Sequence, residues 1–168
     1  MAERGTPADL LVGHSWGGAA AIAAAAEATG VRAVATIGAP VDPSHVEGQY
    51  DAVIDRVLSE GSHEWFVGGR TLVLKRAFVE DVHHASLRAG IRELRLPLLV
   101  LHSPTDNTVD IANAGEIFYE ARHPRSFVAL DGADHLLTAR GQAQRAAHII
   151  SAWADQYIHA SRPGVGVS

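Results

Sequence analysis

Five residues narrow the choice of fold more than anything else in the chain: Gly13-His14-Ser15-Trp16-Gly17. They stand between Leu10-Leu11-Val12, a short apolar run that reads as a buried parallel strand, and an alanine-rich stretch from residue 17 to 28 that reads as a helix closed by Gly30. A serine between strand and helix has to turn sharply. Flanking glycines let the backbone pass closely there without a Cβ clash. The hydroxyl then projects above the C-terminal end of the strand. The first N–H groups of the helix, Trp16 N–H among them, face any negative charge that develops beside it. The bare G-x-S-x-G spacing is short enough to arise by chance, and a glycine-rich turn with an idle serine would share it. Its position on a strand-to-helix boundary is the context a nucleophilic serine requires.

The next elements extend the pattern. Val31 to Ile37 is β-branched and alternating, and Gly38-Ala39-Pro40 breaks it. Strand, helix and strand with short links form a βαβ unit and imply a parallel sheet. Residues 43–95 interrupt the rhythm. Asp51 to Leu58 suits a short helix, Gly68-Gly69 a hairpin between 64–67 and 70–74, and Val79, Val82, Leu87, Ile91 and Leu94 one helix face. This segment reads as a cap inserted between sheet strands. The rhythm then resumes with a strand at 98–101, a polar loop at 102–110, and a helix near 111–121 that Asp110 would cap. A strand at 126–130, a loop at 131–135 and an amphipathic helix at 142–158 follow. The expected organisation is a first core part (1–42), a cap (43–95), a second core part (96–160) and a tail (161–168).

A nucleophilic serine needs a base, and the base an orienting acid. Behind such an elbow they follow in the chain order acid, then histidine. Asp106 lies in the loop after the third visible strand and His135 in the loop after the fourth. One helix and one strand separate them, the minimum for stepping along a parallel sheet. All three groups thus fall on the sheet edge where α/β proteins place their sites. Asp131 is a reserve acid on the loop of His135. Asp110 reads better as a cap, and Asp134 adjoins His135 too closely. His102 suits the site or a structural hydrogen bond equally well.

Composition removes other classes. The chain has 168 residues, a net charge of -5 and no cysteine. That argues against nucleic acid or an anionic membrane as partner and excludes disulfides and thiol chemistry. The apolar stretch 15–26 is too short to span a bilayer, and Met1 to Asp9 lacks the basic start of a signal peptide. A cytoplasmic protein is expected. The ten histidines show no H-E-x-x-H or ligand cluster, His83-His84 and the scattered His45, His63, His123, His148 and His159 included. The residues imply no metal and no cofactor.

The segments LLVGHSWGGAAAIAAA, LLVLHSPTDNTVDIANAGEIF and FVALDGADHLL resemble those of the α/β-hydrolases. With VRAVATIGAPVDPSHV, the chain is similar to the hydrolase half of bifunctional α/β-hydrolase/OsmC-like proteins from about residue 8 to 159. The resemblance implies Ser15 as nucleophile, Asp106 as acid and His135 as base. Trp16 stands where such proteins commonly carry a smaller aliphatic residue, which changes the pocket but keeps the backbone donor. A complete member has several strands and a helix ahead of the elbow strand. An incomplete α/β-hydrolase fold is therefore expected, a mostly parallel sheet flanked by helices with a cap insertion and the N-terminal strands missing. The second oxyanion donor would be missing with them. The elbow strand would then be an exposed apolar edge and a route to self-association. The OsmC-like domain needs cysteine, so peroxide reduction does not carry over.

The expected function is a serine hydrolase acting on a small ester or amide through an acyl-enzyme, with Trp65, Phe66 and Phe78 as candidate lining of the pocket or core of the cap. A degenerate scaffold that needs the missing strands or a partner is the alternative. Acyl transfer shares the same residues.

Overall fold

The computed structural model describes residues 8–41, 47–67, 70–77, 79–80 and 87–159. The expectations for His45, the Gly68-Gly69 turn, Phe78, Val82, His83-His84 and the tail from residue 161 lie outside them.

Four strands form one sheet: β1 (Leu10–His14), β2 (Ala33–Ile37), β5 (Leu98–His102) and β6 (Arg125–Ala129), in the order β1-β2-β5-β6. Every pair is parallel, with Val12 opposite Ala35, Ala35 opposite Leu99 and Leu99 opposite Ser126. Successive strand residues point to opposite faces, and the sequence fills both. Val34, Leu98 and Val100 meet α1 (Trp16–Glu27), α3 (Leu87–Glu93) and α4 (Ala112–Glu120) on one side. Ala35, Leu99 and Leu101 meet α5 (Gln142–Ile158) on the other. Steps that all move the same way along a parallel sheet put their crossovers on one face, because each is right-handed. Among the described helices only α5, which follows β6, covers the other.

The segment expected as a cap holds α2 (Glu47–Glu60) and the antiparallel hairpin of β3 (Ser62–Val67) and β4 (Arg70–Lys75), with Trp65 opposite Leu72. Ile54, Val57 and Val79 form a small buried cluster there, and Trp16 packs against it from the first turn of α1. The first helix of the sheet therefore carries the seat of this outlying unit.

Most expected elements are present with small shifts at their ends. Two differ more. The helix expected at 51–58 runs from Glu47 to Glu60; its first turn is not legible in the sequence, because Glu47-Gly48-Gln49-Tyr50 lacks the apolar periodicity that marks a helix. His102, read as the start of a polar loop, is the fully buried last residue of β5. Its Nε2 finds a backbone partner inside the fold, the Val109 carbonyl, which offsets the burial of that nitrogen.

Candidate active site

The site is built at the C-terminal ends of parallel strands. Ser15 follows β1 directly and holds φ 54 and ψ −128, a conformation that L side chains rarely adopt. Such strain is of order 1–3 kcal/mol and persists only where the surroundings fix it. Here they do. Ser15 N–H donates to the Ile37 carbonyl of β2 at 2.8 Å, and Gly18 N–H donates back to the Ser15 carbonyl at 2.8 Å. Gly13 shows why the elbow needs its glycine. A Cβ there would lie 2.0 Å from the carbonyl oxygen of Gly17, in backbone that cannot give way.

His135 stands over the serine from the loop after β6. Its Nε2 is 3.1 Å from Ser15 Oγ, and its Nδ1 is 2.7 Å from Asp106 Oδ2. The direction of these bonds follows from the acid. An ionised carboxylate only accepts, so Nδ1 carries the proton and Nε2 is left as the acceptor for the serine hydroxyl.

The second oxygen of Asp106 accepts Thr108 N–H and Val109 N–H, both at 2.9 Å. Burial alone pushes the Asp106 carboxyl upward. The hydrogen bonds from His135, Val109 and Thr108 outweigh it and hold the group below the ordinary aspartate value. It stays charged through the neutral range, although its side chain is only 2% exposed.

The other residues singled out in the sequence fall around this chain of bonds. Asp131 is exposed, and the carboxylate on His135 is that of Asp106. Asp110 accepts Ala112 N–H at 2.7 Å and so caps α4. Asp134 accepts from the backbone of Leu136, Thr138 and Ala139 and from the Thr138 hydroxyl, which orders the segment just after His135. His102 donates from Nε2 to the Val109 carbonyl at 2.8 Å, and the same nitrogen is 3.7 Å from Asp106 Oδ2. It closes the turn that cradles the acid. Trp16 opens α1, and its ring lies 6.2 Å from that of Trp65. Phe66 is 71% exposed on the hairpin.

Three contributors carried no sequence signal for this role. Gly38, at φ 56, brings the end of β2 so close that a Cβ would sit 3.3 Å from Asp106 Oδ2 and 3.4 Å from the His135 ring. Ser103 donates to the Ala133 carbonyl at 2.6 Å and ties the acid loop to the histidine loop. His14 reaches the His135 carbonyl. Each depends on a partner at least 30 residues away, beyond the reach of any local pattern. Among the described residues, no group of three or more His, Asp or Glu is placed to hold a metal ion, and no helix is long and apolar enough to cross a membrane.

No family model matches the sequence, and no curated protein matches it. Solved structures do. The esterase domain of a Rhodothermus marinus protein is 42% identical, with a TM-score of 0.74 over 89% of this chain and 62% of that one. The fold is that of an α/β-hydrolase. The α/β hydrolase GrgF from Penicillium sp. sh18 shares it at 12% identity and a TM-score of 0.65, over 89% of this chain and 64% of its own. So does mouse alpha/beta hydrolase domain-containing protein 10, at 19% identity and a TM-score of 0.64, over 92% and 64%. The chain thus spans under two thirds of the length of each of these α/β-hydrolase structures.

Proposed function

We propose that the chain is a serine hydrolase of esterase type that cleaves a small ester or amide. The observation that carries this reading is the unbroken run of hydrogen bonds from Ser15 Oγ through His135 to Asp106, at 3.1 and 2.7 Å. In the reaction His135 Nε2 takes the hydroxyl proton as Ser15 Oγ bonds to the substrate's carbonyl carbon. Trp16 N–H, at the start of α1, stabilises the oxyanion. His135 then gives its proton to the departing alcohol or amine, which leaves an acyl group on Ser15. Water repeats the sequence in reverse and frees the acid. Asp106 balances the imidazolium in both halves. The 42% identity to a protein described as an esterase domain supports the substrate class.

The reading includes no cofactor, no nucleic-acid or membrane partner and a cytoplasmic setting. In it the part of residues 43–95 ahead of α3 forms the cap that selects substrate, since α3 itself packs on the sheet. Kinship with the hydrolase half of α/β-hydrolase/OsmC-like proteins rests on the sequence segments alone.

A second reading is a scaffold without turnover on its own. It is favoured by β1, which lies at the sheet edge with Val12 half exposed. A fluorophosphonate distinguishes the two. The purified chain, Ser15→Ala and His135→Ala are incubated with it and weighed intact. One adduct on the parent, absent from Ser15→Ala and slowed in His135→Ala, is the expected result. A folded parent that takes up no adduct would favour the scaffold.

A further inference from the structure

His14 is the last residue of β1 and the immediate neighbour of Ser15. Its side chain crosses to the histidine loop, where Nε2 lies 2.7 Å from the carbonyl oxygen of His135. A carbonyl only accepts, so this nitrogen carries a hydrogen and donates it. The two imidazole rings also pack against each other, with centroids 5.0 Å apart and a tilt of 44°. His14 therefore meets the base at two places, its backbone and its ring.

The histidine loop needs such a hold. Ser103 fixes it from the acid side, through the carbonyl of Ala133. The local bond from Leu137 N–H to the Asp134 carbonyl shapes it without tying it to the sheet. His14 adds the tie from the nucleophile side. Base and nucleophile are thereby linked through a route that does not pass through the reacting atoms.

We propose that His14 is a positioning residue for the base: its Nε2–H bond to the His135 carbonyl holds the imidazole where it spans Ser15 Oγ and Asp106 Oδ2. The role rests on the serine-hydrolase reading of the same site. It also asks that His14 be neutral, since His135 becomes cationic 5.0 Å away when it takes the serine proton. Burial, and then the neighbouring His135, push the His14 ring toward its neutral form. The carbonyl bond and Asp106 pull the other way and are outweighed.

The test compares His14→Gln with His14→Phe in the full chain. Glutamine places an N–H near the position of Nε2 and never charges. Phenylalanine keeps the ring and loses the donor. The first readout is the low-field proton resonance of the His135 Nδ1–H on Asp106, which needs no turnover. The second is the rate at which a fluorophosphonate labels Ser15. His14→Gln is expected to keep the resonance and a rate within about twofold of the parent. His14→Phe is expected to lose or broaden the resonance and slow labelling about five- to tenfold, the worth of one hydrogen bond. A Phe variant with the parent's resonance and rate would overturn the proposal. So would a Gln variant damaged as much as the Phe variant, because shape alone would then matter. Absence of the resonance from the parent would remove the geometry the proposal stands on. If His14→Phe does not fold, His14→Asn, whose amide is too short to reach, gives the same contrast. A parent that is not labelled defeats the hydrolase reading, while the resonance comparison still decides the role of His14.

Discussion

At the scale of single residues, the site depends on close approach as much as on reactive groups. Gly38 has no functional group, yet it sets how near β2 can come to Asp106 and His135. Alanine there meets two obstacles. A side chain at φ 56 costs about 1 kcal/mol or more in backbone strain, and its Cβ would press on Asp106 Oδ2 at 3.3 Å and on the His135 ring at 3.4 Å. Carboxylate and ring must then move apart by a few tenths of an ångström or shift together away from Ser15. Gly38→Ala is expected to lower the rate of Ser15 phosphonylation about tenfold or more, since catalytic geometry tolerates little displacement, while the melting temperature falls by only a few degrees. Labelling kinetics beside a thermal melt check this. An unchanged rate would mean the acid–base pair has slack. Ser15, Asp106 and His135 were legible in the sequence as members of one site, because elbow context, chain order and loop position each point to them, and the fold brings their side chains together. It could not reveal Gly38, His14 or Ser103, whose contributions exist only once the strands lie side by side.

Elements were legible where local chemistry decided them. The alanine run fixed α1, continuous apolar runs fixed β1 and β5, and apolar periodicity fixed α5 from Gln142 to Ile158. Contacts between elements were not. Arg88 pairs with Glu116 and Arg92 with Glu120 across α3 and α4, in pairs 28 residues apart. These partly exposed pairs add little stability, but they bridge two helices that lie on the same face of the sheet. The seat of α2 and the β3–β4 hairpin is likewise a tertiary fact. Trp16 begins α1 and lies among Val53, Ile54, Leu74 and Trp65. One side chain thus joins the helix after Ser15 to the outlying unit. Trp16→Ala would remove most of that contact and open a cavity, at a cost of about 3–5 kcal/mol if the tryptophan were fully buried and less here. The loss should fall on the outlying unit. Amide exchange in α2 and the hairpin is expected to speed up well beyond that in β2 and β5, where Val34, Ala35, Leu99 and Leu101 are buried on both faces. Uniform acceleration across the chain would instead mean that the unit and the sheet open together.

For the molecule as a whole, the unresolved tension is the edge of the sheet. Parallel sheets are ordinarily covered on both faces and rich in apolar side chains throughout, and β1 keeps that character while standing outermost among the described strands. Val12 is 50% exposed. With Leu10 and Ile37 it faces Leu137 and α5 across an open apolar groove of about 390 Å³. An edge of this kind presents unpaired N–H and C=O groups together with an apolar floor, the combination that recruits another strand. With net charge -5 spread over 168 residues, long-range repulsion gives only modest protection at physiological salt. The chain is therefore expected to self-associate through β1, with an apparent mass that rises with concentration in sedimentation. Val12→Lys tests the surface directly. The side chain is half exposed at the open groove, so the charge can reach water without unfolding the strand, and an edge lysine disfavours pairing. The variant is expected to sediment as a monomer over the range in which the parent associates, with the same circular dichroism. If Val12→Lys associates as the parent does, the contact lies on another surface, and the exposed Phe66 and Val73 of the hairpin become the next to change. If the parent is itself monomeric throughout, the edge is protected by its own twist and by the solvation of its backbone, and the scaffold reading loses the observation that favours it.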